Sequence, residues 1–174
     1  CGPTAMAMVA SKLKGGNGNP YSPENMARIA ESGNYSTQNG TMPNYFTNVG
    51  TQLGMNVTPA LATAGNIDAM LGNGQPVIIQ GASDRNDSPF TSGGHYVVAV
   101  GKDDSGNVLV NDPRGKSYSG KYTMNQLTDG SARAWGFSNP GGFGGTIVNT
   151  VKGGFGKVKK LLKSVMGGNG ASWI

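Results

Sequence analysis

The apolar pattern of this chain changes character once, and that change limits what it can fold into. Up to Leu71 apolar residues recur at helical spacing; from Pro76 onward they come in short runs bounded by turn residues. Pro3 to Leu13 reads as a helix, with Pro3 in a first turn where a missing N–H costs nothing. Met6, Val9, Ala10 and Leu13 share one face of it, and the glycines from Gly15 end it. Ser22-Pro23-Glu24-Asn25 reads as a cap followed by helix to about Ala30. Asn39-Gly40 reads as a turn. A third helix is expected to start at Thr41-Met42-Pro43 and bury Tyr45, Phe46, Val49 and Leu53, and a fourth to run from Asn66 to Leu71. Pro76 to Gln80, His95 to Gly101, Asn107 to Asn111 and Ser117 to Tyr122 read as strands, with Asp103-Asp104-Ser105-Gly106 as a hairpin turn. Thr123 to Leu127 reads as a short helix, and Ala134 to Phe137 as a closing strand. Helices first and antiparallel strands second predict an α+β fold, its N-terminal helices packed on an antiparallel sheet.

Residues 1–140 are enough for one core, and residues 141–174 read as a glycine-rich linker with a basic amphipathic segment. The net charge of +5 belongs entirely to that second part. Through Pro140 nine Lys or Arg balance nine Asp or Glu, and the excess is Lys152, Lys157, Lys159, Lys160 and Lys163. Val158, Leu161, Leu162 and Val165 form an apolar stripe opposite those lysines. The segment reads as a solvated basic helix face, with an anionic envelope or membrane surface met through Lys152–Lys163 as its other use. Aromatic residues are not interleaved with the lysines, which argues against nucleic acid. No stretch approaches the ~20 apolar residues that span a bilayer. No signal peptide is read, and a chain opening on a nucleophile is expected to be cut from something longer.

The chemistry lies in three scarce residues. Cys1, in Cys1-Gly2-Pro3-Thr4, is the only cysteine, which excludes an internal disulfide and a thiolate-rich zinc site. His95, in Gly93-Gly94-His95-Tyr96-Val97, is the only histidine, which excludes paired-histidine metallopeptidase motifs. Neither a metal nor another cofactor is called for. A thiol at a helix start faces the positive end of the helix dipole, where a thiolate is favoured. Gly2 would let a substrate approach the sulfur, and Gly94 would keep the ring of His95 open to it. Asp112, in Val110-Asn111-Asp112-Pro113, lies one strand on from His95, across the hairpin. Strand alternation points Asn111 and Asp112 to opposite faces, so one of them serves as the orienting group. Cys1 as nucleophile, His95 as base and Asp112 as orienter suit a thiol hydrolase. The expected geometry puts the sulfur at one ring nitrogen and Asp112 at the other.

At this point CGPTAMAMV, GGHYVVAVG and VLVNDPRG together resemble the family-39-like cysteine peptidases, with GTMPNYFTNVGTQLGM between them also similar. The resemblance spans residues 1 to about 138. It implies a papain-like fold, a nucleophile at Cys1, a base at His95 and the aspartate before proline at Asp112. It also implies a glutamine a few residues before the nucleophile, whose amide helps form an oxyanion hole; this sequence begins at Cys1. The relatives include the peptidases of bacteriocin exporters, which cleave after paired glycines. The tail resembles segments of bacteriophage tape-measure proteins. The expected function is hydrolysis of a peptide or peptidoglycan bond during phage entry, by a domain located in a virion tail, or extracellular, alongside other virion tail proteins. Cleavage after paired glycines, including Gly167-Gly168 of this chain, is the first alternative. An inactive structural module of a phage tail is the second. An N-terminal-nucleophile hydrolase, using the amine of Cys1 as base, is the remaining one.

Overall fold

The computed structural model describes residues 1–15 and 20–140. The 141–174 segment, with its expected linker, basic stripe and paired glycines, lies outside the described residues.

Among the described residues, five helices and eight strands follow in the order α1 (Gly2–Lys14), α2 (Pro23–Ser32), β1 (Ser36–Thr37), β2 (Gly40–Thr41), α3 (Asn44–Gln52), β3 (Asn56–Leu61), α4 (Ala64–Gly72), β4 (Val77–Gly81), β5 (His95–Lys102), β6 (Val108–Asn111), β7 (Gly120–Tyr122), α5 (Met124–Thr128) and β8 (Ser131–Ser138). β1 and β2 make a small hairpin, and the other six strands form one antiparallel sheet ordered β3-β8-β4-β5-β6-β7. The α+β architecture, with helices packed on an antiparallel sheet, is the one expected.

The caps explain most element boundaries. The Ser22 hydroxyl accepts from Asn25 N at 3.2 Å, with Pro23 next in the chain, and starts α2. Thr63 does the same for Asn66 N, so α4 begins at Ala64, earlier than the apolar spacing indicates. Thr123 and Gln126 form a reciprocal capping box that stabilises the single-turn α5. Thr41 does not open α3; it pairs with Ser36 in the hairpin, and the helix begins at Asn44.

Two clusters of buried side chains flank the sheet. One joins α1, α2 and α3 to Ile78, Tyr96, Val98, Trp135 and Phe137. The other joins Ile67 and Met70 of α4 and Leu127 of α5 to Val77, Ile79, Val97, Ala99, Val108 and Val110. Alternate residues of β4 and β5 therefore enter opposite clusters. Covered on both faces, these strands read in sequence as unbroken apolar runs.

Three strands of the six-stranded sheet depart from expectation. β3 was not foreseen: none of its residues is fully buried, and Pro59 interrupts it. It lies at the sheet edge, paired only with β8, where a proline is tolerated. β8 is longer than Ala134–Phe137 and lies inside the sheet, between β3 and β4. The strand expected over Ser117–Tyr122 is reduced to Gly120–Tyr122, because residues 115–119 form consecutive turns that close on Asp112.

Candidate active site

Cys1 is exposed and occupies the N-cap of α1, where its carbonyl accepts from Ala5 N at 2.8 Å. Its sulfur therefore stands at the positive end of a 13-residue helix. Gly2 is buried, and a β-carbon there would meet the Thr41 side chain at 2.5 Å. The bareness of Gly2 is thus used by the β1–β2 hairpin, which packs onto the helix start. α1 also packs across β5, the strand that begins with His95.

His95 is delivered by a tight turn. Gly94 N donates to Thr91 O at 2.9 Å, and Thr91 Oγ1 donates to Gly94 O at 3.1 Å. Gly94 has φ +85°, the left-handed conformation that glycine adopts without strain. His95 then pairs with Gly81, and Phe90 lies so close over Gly81 that a β-carbon there would meet its ring at 2.7 Å. The β4–β5 loop is thereby folded back on the sheet just before the histidine.

The β5–β6 hairpin brings Asp112 alongside. Asp103 organises the hairpin turn, accepting from Ser105 N and Asn107 N through Oδ1. Asn111 ends β6 exposed, whereas Asp112 is 1% exposed. His95 Nε2 lies 2.8 Å from Asp112 Oδ1, and His95 itself is 6% exposed. The structure therefore brings His95 together with Asp112 and leaves Asn111 outside. It joins the Cys1 sulfur to the ring by no hydrogen bond. The Cys1 amino group is near enough to His95 to disfavour the imidazolium.

Arg114 is a member of this cluster that the sequence did not single out. Its backbone N–H donates to Asp112 Oδ1 at 2.8 Å, and its Nη2 donates to Asp112 Oδ2 at 2.8 Å. The same Nη2 donates to Pro89 O at 2.6 Å. The available signal was a cation two residues past a carboxylate, separated by a proline turn, a spacing that lets the side chain reach back.

Burial pushes the His95 pKa below its ordinary 6.5; Asp112 pulls it up, while Arg114 and the Cys1 amino group push it down. Burial by itself would raise Asp112, but the hydrogen bonds from Arg114 and His95 outweigh it and hold the carboxyl below its ordinary 3.8. Near neutral pH the pair is thus a neutral imidazole beside a carboxylate. An ionised carboxylate only accepts, so Nε2 carries the ring proton and Nδ1 presents a lone pair. That tautomer is equipped to accept a proton. Among the described residues, no group of three His, Cys, Asp or Glu is placed to hold a metal ion.

Residues 1–138 match the family model described as the Peptidase_C39 like family. Among solved structures, the peptidase domain of Streptococcus ComA, a bi-functional ABC transporter involved in a quorum-sensing pathway, superposes with a TM-score of 0.58 at 18% identity. The superposition covers 80% of this chain and 90% of that one. No curated protein matches the chain.

Proposed function

The chain belongs to the Peptidase_C39-like family of cysteine peptidases, and from that premise we propose that it hydrolyses peptide bonds through Cys1, His95 and Asp112. The observation that carries this reading is the buried His95 Nε2–Asp112 Oδ1 contact of 2.8 Å, which holds the ring proton on Nε2 and leaves Nδ1 free to accept one. His95 Nδ1 takes the thiol proton, and the sulfur of Cys1 attacks the carbonyl carbon. The imidazolium then gives that proton to the departing amine, leaving a thioester on Cys1. A water, deprotonated by the same nitrogen, hydrolyses the thioester and frees the thiol. Asp112 stays ionised throughout and stabilises the imidazolium as it forms.

The substrate in this reading is a peptide of peptidoglycan, cut at the bacterial cell envelope by a phage-tail protein working among other tail proteins. Cleavage after paired glycines is the second reading, supported by the fold likeness to the peptidase domain of a bi-functional ABC transporter. Purified cell walls and a peptide containing two consecutive glycines, each incubated with wild type and Cys1→Ala, separate them. Soluble wall peptides released by wild type alone support the first. Cleavage of the diglycine peptide alone replaces it with the second. Equal products from both proteins would remove Cys1 from the reaction.

A further inference from the structure

Asp112 is the most crowded polar group of the site. Oδ1 receives His95 Nε2 at 2.8 Å, the Arg114 backbone N–H at 2.8 Å and Arg114 Nε at 3.2 Å. Oδ2 receives Arg114 Nη2 at 2.8 Å and Nε at 3.3 Å. The guanidinium fork thus lies along the edge of the carboxylate away from the histidine. A fork of this kind fixes the carboxylate plane as well as its charge.

The rest of Arg114 is fixed too. Its Nη2 also holds the Pro89 carbonyl, in the β4–β5 loop that leads into His95. Its guanidinium carbon lies 4.0 Å from the centre of the Tyr118 ring, a cation–π contact. Ser119 Oγ accepts from Asp112 N at 2.9 Å and donates to Gly115 O at 3.1 Å, closing the turn that carries Arg114. One side chain therefore ties the segment bearing the aspartate to the segment bearing the histidine.

A buried carboxylate needs a counter-charge, and a neutral imidazole supplies none. Left alone with Asp112, the ring would tend to take a second proton and become the counter-ion itself. It could then no longer accept the proton of a thiol. The geometry points to Arg114 as the positioning residue of the site: it aims Asp112 Oδ1 at His95 Nε2 and neutralises the carboxylate, leaving the ring free to act as a base. This inference rests on the catalytic reading of His95 and Asp112, and Arg114 acts only through them.

His95 is the only histidine, so its ring gives one set of nitrogen signals. Its titration by nitrogen NMR in the intact chain is therefore a direct readout. Asp112, Arg114 and the Cys1 amino group are the charged groups acting on it. Arg114→Gln is expected to raise the His95 pKa by about one unit or more, since Asp112 then has only the ring to pair with. Asp112→Asn is expected to lower it. In the Asp112→Asn background, adding Arg114→Gln should move it by less than half as much as it does alone. A purely structural Arg114 would shift the titration equally in both backgrounds, and that result overturns the inference, as does no shift at all. Arg114→Lys keeps a cation without the fork, and a smaller upward shift is expected. If Arg114→Gln does not fold, an unshifted Arg114→Lys titration overturns the inference. Titrations as expected, together with Cys1→Ala cleaving as wild type does, would leave the clamp standing and remove the catalytic reading instead.

Discussion

The Tyr96 hydroxyl donates to the Thr41 carbonyl at 2.9 Å, and through this bond the two halves of the candidate site are held in register. Tyr96 follows His95 on β5, and Thr41 covers Gly2, the residue after Cys1. Burial raises the Tyr96 hydroxyl to about 12, so it remains a donor throughout the physiological range. Tyr96→Phe should cost about 1 kcal/mol in denaturant unfolding. It should also slow substrate cleavage more than that loss of stability accounts for, because the hairpin over Gly2 is released. Unchanged cleavage by a folded Tyr96→Phe protein would show that the helix start needs no such tether.

Gly2→Ala should destabilise the chain despite alanine's better helix propensity. The new β-carbon would lie 2.5 Å from the Thr41 β-carbon, which cannot swing away as a side-chain tip could. A cost of about 1–3 kcal/mol is expected, a fall in melting temperature of roughly 3–10 °C. Thr41→Gly in the same chain should recover part of it. A Gly2→Ala protein as stable as wild type would mean the hairpin moves off the helix at little cost.

Acid should weaken the fold in two stages. His95 is depressed in the folded chain, so the unfolded chain binds the extra proton first, and stability falls as pH drops below about 6.5. Asp112 is depressed for the opposite charge type with the same sign of effect, and its contribution is lost below about 3.8. Urea unfolding from pH 8 to pH 3 would record both. His95→Gln should flatten the first stage and keep the second. A wild-type chain that gains stability between pH 7 and pH 5 would contradict the buried, neutral histidine.

The sheet ends at Ser138, and Asn139 is anchored by Nδ2 to the Leu13 carbonyl at 2.6 Å, at the end of α1. A chain ending after Pro140 should therefore melt within about 3 °C of the longer one. A larger fall would place part of the 141–174 segment in the core and move the domain boundary.

Much of this fold could be read from the sequence because its signals are local. Ser22-Pro23, the Asp103–Gly106 turn and the unbroken apolar runs of β4 and β5 each declare themselves within a few residues. β3 and the position of β8 could not be read that way. Pro59 speaks against a strand unless its edge position is known, and that position is set by pairing with residues some eighty positions away. The pairing of His95 with Asp112 follows from the hairpin, and the choice of Asp112 over Asn111 follows from burial at the end of β6. Arg114 was missed because its partner lies two residues back across a proline turn, past the end of β6, where neither the helical nor the strand pattern applies. Gly2 was read as space for a substrate, whereas the fold fills the position of its absent side chain with Thr41.

The central claim is that His95 governs the reactivity of Cys1, and alkylation of the one thiol measures it most directly. Iodoacetamide adds a single mass, needs no oxyanion hole and presupposes no substrate. At pH 6.5 wild type should react about tenfold faster or more than His95→Ala, whose thiol keeps only the helix dipole to favour its ionisation. Asp112→Asn should fall between them. Rates that coincide for wild type and His95→Ala across the whole pH range would contradict the account.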